Sequence, residues 1–316
     1  MAVSLPIHLI LGCGLFAIGT VVGSFLNVCI HRIPWQKSVV WPDSRCPKCL
    51  HSIAARDNVP IVSWLVLRGA CRHCGLPIAA RYPAVEALVG LLFVGAYVTD
   101  VAFGPRSYWG EIPSFLAIVL LYHLILVALL VAATFIDYDL MTIPDEITVT
   151  GIVLGIALGT LFPEVRPDPS KATTYASGFW VGIAGLLAGG GLTWSVRFLG
   201  TVALRREAMG FGDVTLMAMI GAFLGWQAAV MTFFLAPFFG LAHALWKLVT
   251  YLGKRLSGRK FSSADREMPL GPYLSMAAVA LLLSWPWLWP GWAKPLFELL
   301  LELIRELLHV LLRMLF

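Results

Sequence analysis

Two groups of residues in this chain have the types and spacing to do chemistry: paired cysteines and a few carboxylates beside long apolar runs. The cysteines number six. Cys13 and Cys29 fall inside an apolar run and read as small buried hydrophobes. The other four form Cys46-Pro47-Lys48-Cys49 and Cys71-Arg72-His73-Cys74. A CxxC turn aims two thiolates at one ion, and two such turns supply the four soft ligands of a tetrahedral zinc site. Lys48 and Arg72 offset the negative charge that four thiolates would carry. Two disulfides or free thiols are the competing readings. A cytosolic location disfavours disulfides, and a redox CxxC would sit in a βαβ setting that is missing here. His51 and His73 could substitute as ligands, but read better as loop histidines.

The carboxylates of interest lie at the ends of apolar runs, where acids are costly and are functional candidates by default. One group is Asp137, Asp139, Asp145 and Glu146; the other is Asp213 in Gly210-Phe211-Gly212-Asp213. Two carboxylates in a low-dielectric pocket cannot both ionise easily, so they share a proton. The ionised partner can then activate water while the protonated one donates to a carbonyl, as in aspartic peptide hydrolysis. Gly210 and Gly212 lack Cβ atoms and would let a substrate backbone approach Asp213. A plain loop-to-helix turn capped by Asp213 is the alternative. Thr142 and Asp145 have capping-box spacing, and Pro144 suits a first helical turn, which makes Asp145 structural. Composition and spacing do not select Asp137 over Asp139. Intramembrane acids also serve transporters as proton or cation sites, but such folds carry inverted repeats. No internal repeat is visible in this sequence.

The elements that must position these groups are membrane helices. Of the 316 residues, 59% are hydrophobic and 13% charged, and mean hydropathy is +0.82, which excludes soluble, disordered and fibrous classes. Apolar runs fall near residues 7–30, 84–103, 113–136, 147–162, 178–199, 214–225, 228–252 and 269–289, giving about eight transmembrane helices in an all-α polytopic membrane protein. The run at 214–225 is short for a span and must begin earlier or turn sharply after Trp226. Gly178, Gly182, Gly185 and Gly189 form a small-residue stripe suited to close helix packing. Basic residues gather between His31 and Tyr82, near Arg197, Arg205 and Arg206, and from Lys247 to Glu267; loops around Arg106 and Arg166 are poor in them. The positive-inside rule then puts the N-terminus outside and both acid groups at the cytosolic edge. The net charge of +5 is this topology signal, and no nucleic-acid partner is implied. In the last 25 residues Glu298, Glu302, Arg305, Glu306, His309 and Arg313 share one helical face, the mark of an interfacial amphipathic helix.

At these residues the chain resembles the bacterial type IV prepilin peptidases that double as N-methyltransferases. The likeness runs from Gly23-Ser24-Phe25-Leu26-Asn27 and Arg32-Ile33-Pro34, through the loop with both CxxC pairs, to Tyr82-Pro83 and Glu86. It continues with Asp137 and Ile143-Pro144, with Glu207 to Asp213, and with Leu270-Gly271-Pro272-Tyr273. Ala70, Thr215 and the tail after Trp292 depart from the family pattern. The resemblance implies that Asp137 and Asp213 are the catalytic pair. It also implies that the substrates are prepilins or pseudopilins with short basic leaders, cut on the cytosolic side of the inner membrane. S-adenosylmethionine would be the methyl donor for the new N-terminus, although no glycine-rich nucleotide fingerprint is present. The expected organisation is a first span at 1–30 and a cytosolic zinc-binding domain at 31–82 linked to methylation. A peptidase core at 83–290 and an amphipathic helix at 291–316 follow. The oligomeric state is not written in the sequence.

Overall fold

The computed structural model describes residues 5–102, 114–166, 174–256 and 268–315. The expected outer loop around Arg106, and Arg259, Lys260, Arg266 and Glu267 of the last basic segment, lie outside the described residues. No strand occurs among the described residues, only two isolated bridges. Helices stand where each apolar run was expected: α1 (Leu5–Arg32), α3 (Arg81–Tyr97), α4 (Ser114–Leu140), α5 (Asp145–Leu161), α6 (Tyr175–Leu204), α7 (Phe211–Leu224), α8 (Trp226–Leu256) and α9 (Gly271–Leu288). A five-residue α2 (Val62–Val66) lies in the cysteine loop, and α10 (Lys294–Leu315) follows α9. Among the described residues six helices are long and apolar enough to cross a membrane. Helices α5 and α7, of 17 and 14 residues, are shorter. Exposed apolar side chains such as Ile10 and Val21 on α1, Trp180 and Leu187 on α6 and Phe234 and Phe238 on α8 give the bundle a lipid-facing surface. The protein is a multi-pass membrane protein.

Helix α4 organises the core. Val119, Tyr122, Leu126, Leu130, Ala133 and Asp137 recur at steps of three and four, so they stack on one face, and all are buried. That phase carries Asp137 inward and turns Asp139 outward. Tyr122 donates to the backbone carbonyls of Gly155 and Phe223, tying α4 to α5 and α7.

Helix α7 explains the run that is too short for a span. It begins at Phe211, three residues before the apolar run, and stops at Gly225, whose φ of +86° ends the helix before Trp226. The sharp turn thus comes one residue earlier than expected. Fourteen residues reach about 21 Å, short of a roughly 30 Å hydrocarbon core. The deficit is tolerated because every residue from Leu216 to Leu224 is buried inside the bundle. The glycine stripe on α6 allows this: at Gly185 a Cβ would collide with the backbone of Gly221 on α7.

Chain ends sort consistently. The ends of α1, α4 and α6 meet the starts of α3, α5, α7 and α9 at one end of the bundle, which also carries Arg32, Arg81, Arg197, Arg205 and Arg206. At the other end Arg166, in the loop between α5 and α6, is only 1% exposed, and its guanidinium donates to the carbonyls of Gly159 and Gly178. Helix α10 packs at this end through Phe297, which meets Trp226 and Trp289, and leaves Leu296, Leu299, Leu300 and Leu303 exposed.

Candidate functional site

The cysteine pairs form two turns of one design. In the first, the N–H of Cys46 donates to His51 O, Leu50 N–H to Cys46 O, and Ile53 N–H to Ser44 O. In the second, Cys71 N–H donates to Leu76 O, Gly75 N–H to Cys71 O, and Ile78 N–H to Gly69 O. Leu50 and Gly75 both take positive φ, 59° and 67°, directly after the second cysteine of each pair. The two turns therefore repeat one backbone design, with the cysteine pair and Ile53 or Ile78 at matching places. His51 and His73 stack against each other, with ring centroids 3.4 Å apart.

The four thiols converge. All ligand atoms lie within 4.8 Å of one another, with Cys46 Sγ 3.9 Å from Cys74 Sγ and Cys49 Sγ 4.0 Å from Cys71 Sγ. A tetrahedral ion bound at about 2.3 Å needs sulfur pairs about 3.8 Å apart. The cluster is thus sized to hold a metal ion, and the histidines are not part of it. Backbone N–H groups of Cys49 and Lys48 pull the Cys46 thiol down to about 6, whereas Cys74, despite the Leu76 N–H, is pushed up to about 11 by desolvation and the three neighbouring thiols. Arg72 holds Asp57 in a two-bonded ion pair and keeps that carboxyl below its usual range.

Within the lobe Trp64 donates to Ile78 O, and two contacts hold it to the bundle helices. Buried Glu86 on α3 accepts the N–H of Ile61 at 2.7 Å. Arg81, at the start of α3, makes a two-bonded ion pair with Asp139 and stands over the Phe135 ring.

The carboxylates assemble at the same end. Asp137, at the end of α4, and Asp213, in the first turn of α7, are 6% and 8% exposed. They lie within electrostatic reach of each other. A third helix contributes: the N–H of Gly271, opening α9, donates to Asp137 Oδ2 at 3.0 Å. A Cβ at Gly271 would come within 2.6 Å of that same oxygen. Ile143, from the link joining α4 to α5, is buried and packs against both Gly212 and Gly271.

Several expectations change at this site. Gly212 is required by packing, since its Cβ would stand 3.0 Å from Ile143 Cβ. Gly210 lies beside the acid, with its Cβ position 3.5 Å from Asp213 Oδ2. The capping box at Thr142 does not form; α5 starts at Asp145 after Pro144 with no side-chain cap. Asp213 lies in the first turn of α7, where its carboxylate accepts the N–H of the N-cap residue Gly210. Asp139 is held by Arg81, whereas Asp145 and Glu146 are exposed. Gly271 and Ile143 enter the sequence reading only inside the motifs that carry the resemblance, with no role given to either; the structure sets both beside Asp137.

Such a site, two buried carboxylates that each accept a backbone N–H, can activate water against a carbonyl. Comparison with known proteins points the same way. A family model described as the bacterial peptidase A24 N-terminal domain matches residues 17–99. A second, the type IV leader peptidase family, matches residues 124–245. The prepilin leader peptidase/N-methyltransferase of Myxococcus xanthus is 37% identical over 287 residues, covering 91% of this chain and 75% of that protein. Its namesake from Aeromonas hydrophila is 34% identical, covering 84% of this chain and 89% of that one. No solved structure matches the chain.

Proposed function

The chain belongs to the type IV leader peptidase family, and we propose from that premise that it cleaves prepilin leader peptides and then N-methylates the exposed residue. The observation that carries the peptidase half is the meeting of Asp137, Asp213 and the Gly271 N–H inside the basic end of the bundle.

In this reading Asp137 and Asp213 share one proton across the reacting water. Gly271 donates to Oδ2 of Asp137 and fixes that carboxylate's orientation, so Asp137 serves as the base that takes a proton from water. Asp213 is the proton donor to the scissile carbonyl. Ile143 and the buried face of α7 keep bulk water out, which strengthens both interactions. Gly210 leaves room for the substrate backbone next to Asp213. Pseudopilins share the leader design expected of substrates and form part of the same class.

The four cysteines Cys46, Cys49, Cys71 and Cys74 would hold Zn²⁺, a structural ion with no open coordination position. Methylation would draw on S-adenosylmethionine, as the methyltransferase half of the relatives' name implies. Residues 31–82 form the cytosolic lobe of this reading, 83–290 the peptidase core and 291–316 the interfacial helix. The basic end faces the cytosol and the N-terminus lies outside, because Lys and Arg collect there.

The test is cleavage of a prepilin in membranes by the wild type, Asp137→Asn and Asp213→Asn. Both variants should express normally, retain metal and fail to cleave. Cleavage by either one removes that residue from the pair.

A further inference from the structure

We infer that a cavity beside the carboxylate pair is the subsite for one basic side chain of the peptide substrate, with Glu146 as counter-ion and Trp35 as apolar wall. This inference rests on the leader-peptidase reading and adds to it the residues that read the leader.

The cavity measures about 380 Å³. One wall is the single 3₁₀ turn Ile33–Trp35 that closes α1; the other is the end of α4 and the link into α5. Ile33, Trp35, Leu140, Thr142, Pro144 and Glu146 line it. The link does two jobs through neighbouring residues. Ile143 points inward and packs between Gly212 and Gly271, against the acids. Thr142 and Pro144, on either side of it, face the cavity. The cavity and the carboxylate pair are therefore separated by one strip of chain. An extended peptide advances about 3.3 Å per residue, so a substrate lying over the acids would pass residues close to its cleavage point across this opening.

The lining selects a cation on an apolar stem. Trp35, 65% exposed, Ile33 and Leu140 offer carbon surface suited to the methylenes of Lys or Arg, and the indole face suits a cation. Glu146 is the only carboxylate in the lining, which matches a single positive charge. It lies in the first turn of α5, where the helix dipole stabilises an anion. Among the described residues it has no ion-pair partner, unlike Asp139 and Asp57, which Arg81 and Arg72 already hold.

The experiment measures cleavage by the full-length enzyme in membranes, using a prepilin with its basic leader residue and versions carrying Gln or Glu there. Glu146→Gln should raise KM for the basic leader roughly ten-fold, with kcat within about two-fold, because the interaction serves binding and not the reacting atoms. The same variant should no longer distinguish the basic leader from the Gln leader. Glu146→Lys should prefer the Glu leader, reversing the wild-type order. Trp35→Ala should raise KM by a smaller factor, roughly three-fold. Equal KM penalties for Glu146→Gln on basic and neutral leaders would overturn the inference, since charge would not be what the cavity reads. So would a Glu146→Gln enzyme that cleaves normally but no longer methylates, because the cavity would then belong to the methyl donor. The Asp137→Asn control separates the two levels. If it still cleaves, the peptidase reading falls; if it is inactive while leader charge and Glu146 act independently, only the subsite falls.

Discussion

Each cysteine turn closes on itself, between Ser44 and Ile53 or between Gly69 and Ile78, and needs nothing from the helices to take its shape. The carboxylate pair has no such local origin. It requires the end of α4, the start of α7 and the start of α9, and the backbone hydrogen bond that holds Asp137 joins residues 134 apart in sequence. Both sites occupy the same end of one bundle. The difference shows two ways to build a reactive centre: local turns that a metal completes, and a polar pocket that only the packed bundle can complete. The first should fail locally when its ion is lost. The second should fail without unfolding anything.

The largest effect expected is therefore in the lobe. Binding of a structural Zn²⁺ contributes on the order of 10 kcal/mol to folding of such sites. Chelation, or Cys46→Ser with Cys71→Ser, should remove the bound ion and open residues 45–78 to hydrogen exchange. Helices α4, α7 and α9 should stay protected. A lobe that keeps its protection without metal would show that Glu86, Trp64 and the helices hold it, and would erase the contrast.

Next in size is the carboxylate pair. Asp137→Ala and Asp213→Ala should each lower kcat by about 10²–10⁴-fold, the usual worth of positioned acid–base groups. The double variant should be hardly worse than either single one, as groups acting as a unit are not additive. Asp139→Asn should stay within a few-fold of wild type, since it faces outward. Additive losses would mean the two acids do separate work. Gly271→Ala follows. Its new Cβ would stand 2.6 Å from Asp137 Oδ2 and must push that oxygen aside. A shift near 1 Å in a catalytic group can cost about 10²-fold. The expected signature is a fall in kcat with KM and thermal stability unchanged; a wild-type kcat would remove Gly271 from the site.

The same division explains what the sequence discloses. The cysteine cluster is legible because spacing within a CxxC turn dictates where two thiolates point, and two turns leave little freedom. Helix positions are legible too, because apolar runs long enough to span are hard to mistake. Helical phase is not. Helix α4 is apolar on every side, so periodicity cannot tell Asp137 from Asp139; packing against α5, α7 and α9 decides it. Gly271 is hidden for a related reason. A glycine before a proline at a helix start looks like an ordinary entry turn, and its demand for a bare Cα comes from an oxygen on a distant helix. At Thr142 local spacing misleads, because burial of Ile143 takes the link away from the capping geometry. The shared design of the two turns escapes notice because beyond the cysteines their residues match only at Ile53 and Ile78, and Leu50 fills one positive-φ position where Gly75 fills the other.

The smallest effect concerns the seam between the two regions. Arg81 comes directly after the lobe, and its guanidinium holds Asp139, two residues past Asp137 on the same helix. The pair is about one-third exposed on each side, at 36% and 31%, so solvent screens much of its Coulomb attraction. A double-mutant cycle with Arg81→Gln and Asp139→Asn should give a coupling of about 0.5–1 kcal/mol in thermal stability. Arg81→Gln also loses the contact with the Phe135 ring, so its single-variant cost should exceed that of Asp139→Asn. If the seam only joins surfaces, both variants should cleave and bind metal like the wild type. A ten-fold loss of cleavage in both, restored by exchanging the charges as Arg81→Asp with Asp139→Arg, would instead make the ion pair a positioning device for the end of α4. In that case the metal lobe and the carboxylate pair would no longer fail independently, and metal removal should lower kcat by a similar factor.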